Sequence, residues 1–269
     1  MAKIKIAVAG CLGRMGQELT KQILNNKQLE FVGGFEHKKH KHINKQFKSV
    51  SDINSTKLID SNPASSIKSA NVLIDFTTPQ STLENIKIAS QNKKAVIIGT
   101  TGMTEAQKKK IKSYSKKIPI LMSSNMSLGV NLLFSLVQQT ARALKDTDYD
   151  IEIAETHHKH KKDAPSGTAL SLGEYAAEGR KISLSKSKVL DRTKKLSSRK
   201  KGDIGFSVTR GGEIAGEHTV SFIGENDRVD LVHKANNRSI FVKGAIDAAI
   251  FLSKKKPGFY SIKDLFFRD

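Results

Sequence analysis

The amino-terminal stretch constrains the fold of this chain more than any other. An apolar run, Ile4 to Ala9, is followed at once by Gly10, Gly13 and Gly16, then by an amphipathic pattern through Leu24 and a second apolar run at Phe31 to Phe35. A short apolar run with β-branched residues reads as a buried strand, glycines as a sharp turn, and the 3.6-residue period as a helix. The segment is therefore a β-α-β unit. Three more apolar runs, Asn71 to Phe76, Ala95 to Gly99 and Ile118 to Met122, alternate with helix-like stretches such as Glu105 to Lys117. Such alternation predicts an α/β domain whose doubly wound parallel sheet carries helices on both faces.

From Ser127 the pattern changes. A long apolar helix is expected over Leu128 to Leu144, then a strand through Tyr149, Ile151 and Ile153, then a helix over Gly167 to Glu178. Residues 180–202 are rich in Lys, Arg and Ser without periodicity, and read as an exposed, mobile loop. Alternating strands follow at Ile204 to Arg210, Gly216 to Ile223 and Arg228 to His233, with Gly211-Gly212 and Glu225-Asn226-Asp227 as turn signals. This half reads as an α+β domain with a mixed, mostly antiparallel sheet. The last helix, Ile240 to Ser253, is apolar enough to pack back on the first half. The expected division is thus 1–127, with the C-terminal helical segment 238–269 returning to it, and 128–237.

Lys plus Arg exceed Asp plus Glu by 46 to 26, a net charge of +20 that raises nucleic acid or an anionic small molecule as partner. The cations are spread over Lys38, Lys109, Lys159, Lys195 and Lys255, and the chain has no Trp and 6% aromatic residues. Single strands are gripped by aromatic platforms interleaved with cations, so a nucleic-acid partner is not expected. No run approaches the roughly 20 apolar residues of a membrane helix, and the amino terminus lacks a signal-peptide pattern. Cys11 is the only cysteine, which points to a reducing compartment, the cytoplasm.

The run Glu155-Thr156-His157-His158-Lys159-His160-Lys161-Lys162-Asp163-Ala164-Pro165-Ser166-Gly167-Thr168-Ala169 places proton donors, fixed positive charge and a helix start together at the exit of a strand. That combination suits a small acid held by its carboxylate while a proton is delivered. Neighbouring His157 and His158 point in different directions, and no Cys or carboxylate spacing completes a familiar ligand set, so no metal is expected. Proton donation by histidine, with a lysine fixing an anion, accounts for the mixture.

Gly10-Cys11-Leu12-Gly13-Arg14-Met15-Gly16 follows a strand and opens a helix, the context in which a glycine loop brings pyrophosphate to a helix N-terminus. The first half therefore reads as Rossmann-like and dinucleotide-binding. Glu36 ends the second strand about twenty residues beyond Gly16, where a carboxylate accepts hydrogen bonds from ribose hydroxyls. His37, Lys38 and Lys39 follow and can neutralise an additional phosphate, so both NADH and NADPH are expected. Gly99-Thr100-Thr101-Gly102 and Ser123-Ser124-Asn125-Met126 close two further strands at the edge where open α/β sheets bind ligands. Asp75-Phe76-Thr77 lies on the same edge, with a structural turn as strong a reading.

The basic run closely resembles the signature of the bacterial 4-hydroxy-tetrahydrodipicolinate reductase (dihydrodipicolinate reductase) family. So do Val8-Ala9-Gly10 through Arg14-Met15-Gly16, Asp75-Phe76-Thr77, Ile98 to Gly102, Asn125-Met126-Ser127-Leu128-Gly129-Val130-Asn131 and Gly216-Glu217-His218-Thr219. These segments span almost the whole chain. The resemblance implies hydride transfer from NADH or NADPH to an unsaturated cyclic dicarboxylate, giving tetrahydrodipicolinate on the route to diaminopimelate and lysine. It implies His157 as acid/base and Lys161 as proton donor or charge stabiliser, with His158, Ser166, Gly167 and Thr168 holding substrate carboxylates. The cofactor positions it implies are Gly10, Cys11, Leu12, Gly13, Arg14, Met15, Glu36, His37, Gly99, Thr100, Thr101, Ser123, Ser124, Asn125 and Met126. His37 stands where relatives often carry arginine, and Thr78 where some carry a basic residue, which leaves the choice of nicotinamide open. A homotetramer built through the second sheet is likewise implied by the resemblance alone.

Overall fold

The computed structural model describes residues 2–193 and 198–266. In chain order the elements are β1 (Ile4–Ala9), α1 (Arg14–Asn25), β2 (Leu29–Phe35), α2 (Phe47–Val50), β3 (Ile59–Asp60), α3 (Pro63–Ser69), β4 (Val72–Asp75), α4 (Pro79–Gln91), β5 (Ala95–Ile98), α5 (Glu105–Tyr114) and β6 (Pro119–Met122). Then come α6 (Leu128–Ala143), β7 (Asp150–His157), α7 (Gly167–Arg180), α8 (Leu184–Ser187), β8 (Lys188–Val189), β9 (Ile204–Arg210), β10 (Gly216–Ile223), β11 (Arg228–Ala235), α9 (Ser239–Leu252) and β12 (Gly258–Tyr260). They form two compact units, Met1–Leu128 with Ser239–Asp269, and Gly129–Arg238.

The first unit is built on a seven-stranded sheet in the order β12-β6-β5-β4-β1-β2-β3, every pairing parallel. The period of two in its strands sorts the core into two layers. Ile6, Val8, Val72, Ile74, Ile97 and Leu121 face one side, against Leu19 and Ile23 of α1 and Val242, Ala245 and Ala249 of α9. Ala7, Ala9, Leu73, Val96, Ile98 and Ile120 face the other, against Ile67 of α3, Ile86 and Ala89 of α4 and Ile111 of α5. Burial on both faces is why these strands read as continuous apolar runs.

The second unit carries a five-stranded sheet in the order β11-β10-β7-β9-β8. Helices α6 and α7 cover one face, where Val130, Phe134, Val137, Leu172 and Ala176 meet Ile151, Ile153, Ile204, Val220 and Phe222. The sheet is more parallel than expected: β7 pairs with β9, and β8 with β9, in parallel, while β10 is antiparallel to β7 and β11. The cause is α7, which carries the chain back between β7 and β9 so that both run the same way. Gly211-Gly212 consequently does not close a hairpin, because β7 lies between β9 and β10. Asp227 does close one, its carbonyl accepting from Gly224 N–H at 2.9 Å.

Two expectations are corrected. Residues 180–202 are not a plain loop: Leu184 is buried under α7, and Lys188–Val189 pair with β9. Apolar residues too few for a periodic signal make this structure, and residues 194–197, Lys195 among them, lie outside the described part. The α-helix of the terminal segment ends at Leu252; β12 then adds an edge strand beside β6, a 3-10 turn follows over Ile262–Leu265, and residues 267–269 lie outside the described part. Three residues such as Gly258–Tyr260 are too short to show alternation. Among the described residues no helix is long and apolar enough to cross a membrane.

Candidate active site

In β7 the residues alternate in and out, so Ile151, Ile153, Glu155 and His157 share the buried face. The first two enter the core, and the last two continue the row beyond it as a carboxylate and an imidazole. Because β7 lies between β9 and β10, each of these is flanked from both sides: His218 of β10 is opposite Glu155, and Arg210 of β9 is opposite His157. Gly216, one step before the β10 ladder reaches Thr156, lies beside the His157 ring. A Cβ on Gly216 would stand 2.9 Å from His157 Nε2, so glycine is what leaves the imidazole its space.

Glu155 is 2% exposed and yet has charged or polar partners all round. Its Oε1 accepts from Arg210 Nη2 at 2.9 Å and from Ser166 N–H at 2.8 Å. Its Oε2 stands 2.5 Å from His157 Nδ1, an ion-pair contact without the alignment of a hydrogen bond. Burial raises the Glu155 carboxyl, but His157, Arg210 and Ser166 outweigh it and bring the pKa down to about 2. His218 is pushed the other way, to about 4, by burial first and then by His157. His218 is accordingly neutral near pH 7, its ring edge-on to His157 at 5.1 Å between centroids and its Nε2 3.3 Å from Ser166 Oγ.

Beyond β7 the chain turns through a cis Ala164–Pro165 bond into α7, where Ser166 is the N-cap and its Oγ accepts from Ala169 N–H at 3.1 Å. Gly167 and Thr168 form the first turn of that helix, a place suited to a carboxylate. Lys161 Nζ meets both oxygens of Asp163, at 2.8 and 2.9 Å. His158 Nε2 is 3.1 Å from Arg238 Nη2, and burial followed by the Arg238 charge lowers its pKa. Lys159 and His160 are exposed and face Glu213. Arg210, His218 and Arg238 are not among the expected site residues, although His218 lies in one of the segments that carry the family resemblance. The alternation of β10 puts His218 in the row of Val220 and Phe222, and that was the available signal.

Glu155, His157 and His218 are close enough to form a candidate metal-binding group among the described residues. However, two ligands on one zinc ion at about 2.0–2.2 Å stand roughly 3.3 Å apart. The 2.5 Å between Glu155 and His157 is shorter than that, and the Arg210 cation already occupies the carboxylate.

The first unit holds a groove of about 630 Å³ at the carboxyl ends of β1, β2 and β4. It brings together Gly10, Leu12, Gly13, Glu36 and His37 of the expected cofactor residues, and adds Lys38, His40, Phe76 and Thr78. Gly10 has φ +65°, and a Cβ on Gly16 would lie 2.0 Å from the Gly10 carbonyl oxygen, so strand and helix meet as closely as the motif requires. Glu36 Oε1 accepts from Leu12 N–H at 2.7 Å. Gly13, the N-cap of α1, supplies no side-chain oxygen to the first-turn amides. These features fit a dinucleotide phosphate approaching the start of α1.

The other expected cofactor residues fall outside the groove lining. Arg14 is exposed at the start of α1, and Met15 packs against the core. Cys11 and Met126 are core side chains, and burial, with Glu36 adding to it, pushes the Cys11 thiol far up. Thr100 is buried, sharing Asp75 with Thr77 and standing 2.9 Å from Thr82 Oγ1. Gly99 leaves room for the Phe76 ring, whose Cε1 would be 2.1 Å from an added Cβ. Thr101 is exposed beyond β5. Ser123 and Asn125 shape the turn after β6, Ser123 Oγ donating to the Asn125 carbonyl at 2.6 Å, with Ser124 between them. Lys38 is expected near an additional phosphate and Thr78 is the position where some relatives carry a basic residue, whereas His40 sits in a polar run that periodicity does not resolve.

Comparison with known proteins bears on both units. A family model described as dihydrodipicolinate reductase, N-terminus, matches residues 4–126, and one described as dihydrodipicolinate reductase, C-terminus, matches residues 129–266. Proteins named 4-hydroxy-tetrahydrodipicolinate reductase from Zymomonas mobilis and Parvibaculum lavamentivorans are 42% and 44% identical, over 98% of this chain and 97% and 98% of theirs. The dipicolinate-bound dihydrodipicolinate reductase from Paenisporosarcina sp. TG-14 superposes with a TM-score of 0.78 at 25% identity, covering 96% of this chain and 97% of its own. An amine dehydrogenase from Mycobacterium smegmatis, 8% identical over 97% of this chain and 95% of its own, shares the fold with a TM-score of 0.63. Matched along both units, the chain belongs to the dihydrodipicolinate reductase family.

Proposed function

We infer that the protein reduces 4-hydroxy-tetrahydrodipicolinate, by way of dihydrodipicolinate, to tetrahydrodipicolinate, in the cytoplasm and on the route to diaminopimelate and lysine. The observation that carries this reading is His157 beside Glu155, two residues upstream of a basic loop that ends at the start of α7. The first unit is the dinucleotide-binding domain and the second the substrate-binding domain. NADH or NADPH, when bound, supplies a hydride. Gly10, Cys11, Leu12, Gly13, Arg14 and Met15 would cradle its phosphates and Glu36 its ribose, with His37 beside it. Gly99, Thr100, Thr101 and Ser123 to Met126 would complete its surroundings through loop backbone, since several of their side chains are buried.

The residues of the second unit hold the substrate and move protons. Ser166, Gly167, Thr168 and His158 would grip the carboxylates, since a dianion is best held by charge-assisted hydrogen bonds and a helix start. Reduction of a conjugated imine leaves an electron-rich enamine that must be protonated. A positioned acid contributes about 10²- to 10⁴-fold to such a step, and His157 is that acid, with Lys161 as second donor and charge stabiliser. No metal is required. The exposed Ile223 and Val232, on the face of the second sheet that α6 and α7 leave uncovered, are where a homotetramer would assemble.

The test is the initial rate of NADH and NADPH oxidation with freshly made condensation product of pyruvate and aspartate semialdehyde. Turnover with both nicotinamides is expected; none with either would overturn the assignment.

A further inference from the structure

Glu155 connects parts of the site that are distant in sequence. Its Oε2 touches the His157 ring, and its Oε1 holds both Arg210 and the backbone of Ser166, the residue that caps α7. Burying a carboxylate is costly unless each oxygen is occupied, and here the occupants belong to the acid/base histidine and to the turn that receives the substrate. We propose that Glu155 is a positioning residue of the reaction: it holds His157 through Nδ1, favours the imidazolium that gives up its proton from Nε2, and fixes the Ser166–Thr168 turn. This rests on the reading of His157 as the acid.

The proton step balances without Glu155 changing state. The Nε2–H bond of the imidazolium breaks, a C–H bond forms on the enamine carbon from its C=C electron pair, and the imidazole left behind keeps its Nδ1 proton beside the carboxylate. Solvent then restores the lost proton. Alignment of the His157–Glu155 contact belongs to the substrate-bound state, since catalytic hydrogen bonds commonly tighten on binding. The groups that surround the pair are Arg210 from β9, His218 from β10 with His233 of β11 behind it, and Lys161 and Asp163 from the following loop. Of the two carboxylates, Glu155 and Asp163, Glu155 is the one in contact with the His157 ring.

The experiment measures kcat, KM and the pH–rate profile of the wild-type protein, Glu155→Gln, Glu155→Asp and His157→Gln, with the ring-nitrogen NMR of His157. In Glu155→Gln, kcat should fall about 10²-fold and the alkaline limb of the profile should move down by about one pH unit, as expected when an adjacent opposite charge is removed. Glu155→Asp should return the limb towards its original position while kcat stays low. An unmoved limb in Glu155→Gln overturns the proposal. Should that variant fail to fold, wild-type NMR decides: the neutral His157 ring should carry its proton on Nδ1, and a proton on Nε2 overturns the proposal. Unchanged kcat in His157→Gln would remove the acid itself, an outcome seen without reference to Glu155.

Discussion

Asp163 directs both carboxylate oxygens at the Lys161 ammonium, at 2.8 and 2.9 Å, so the cation proposed to meet an anionic substrate already holds an anion of its own. Lys161 first, against a smaller effect of burial, keeps the Asp163 carboxyl below its ordinary range. A substrate carboxylate must compete with this pair. Asp163 is 58% exposed, and exposed pairs are worth at most about 1 kcal/mol, or roughly fivefold. Asp163→Asn should therefore tighten binding of dipicolinate about two- to fivefold. Calorimetric titration of both proteins checks this, and weaker binding by the variant would show that Asp163 supports the site.

Removing the lysine should act on the chemistry. Lys161→Ala should lower kcat by about 10²- to 10⁴-fold if Lys161 delivers a proton or stabilises charge in the transition state. A larger KM with kcat unchanged would confine Lys161 to binding. Steady-state rates at saturating nicotinamide distinguish the two.

Acid should destabilise the second unit in two stages, and the signs follow from the buried groups. His218 has its pKa lowered from 6.5 to about 4 by burial and then by His157, so the unfolded chain takes a proton before the folded one does. Its contribution is complete above about pH 6.5, is lost as pH falls towards 4, and is at most roughly 3 kcal/mol. Glu155, lowered from 4.5 to about 2 despite its burial, contributes above about pH 4.5 and loses that contribution as pH falls through 2. Urea unfolding between pH 7 and 4 should show a falling midpoint that is flatter in His218→Gln. Equal slopes would refute the role of His218.

The legible parts of the molecule were those with a period. β1, β2, β4, β5 and β6 are buried on both faces and could be read as apolar runs, and the glycine loop as the turn between β1 and α1. β3, β8 and β12 have two or three residues and carry no periodic signal. Within the candidate site, His157 and Lys161 stand out in the sequence because they lie in one contiguous run. Arg210 and His218 reach that run only through sheet register, from strands more than 50 residues further on, and a single sequence does not state which strand lies beside β7. The same limit applies to the mixed second sheet: a single sequence shows the crossover through α7 but not that two of the four strand pairings are parallel.

Gly216 is held to glycine by the ring beside it. A Cβ would stand 2.9 Å from His157 Nε2, at a backbone φ of +152° that side-chain-bearing residues rarely adopt. The backbone of β10 is paired on both sides and will not move easily, so the His157 ring must shift. A displacement of about 1 Å costs roughly 10²-fold in rate. Gly216→Ala should lower kcat by that order while cofactor binding, measured by nicotinamide fluorescence, stays as in the wild type. Weakened NADH binding would place the damage elsewhere.

Choice of nicotinamide should be decided at the edge of the groove by Glu36 and the cations beside it. Glu36 already accepts from Leu12 N–H through one oxygen, leaving the other for ribose hydroxyls, which favours NADH. His37, Lys38 and His40 line the same groove and offer a fixed cation, Lys38, and ring N–H donors to an additional phosphate, which favours NADPH. The two influences separate by mutation because only Lys38 is a fixed cation on an exposed, flexible stem. Lys38→Ala should raise KM for NADPH about fivefold, the order of one exposed charge contact, and leave KM for NADH within twofold. The NADPH effect should fade as salt is raised, since exposed charges are screened beyond about 10 Å at 0.1 M. Equal changes for both cofactors would mean that Lys38 shapes the groove without reading the phosphate.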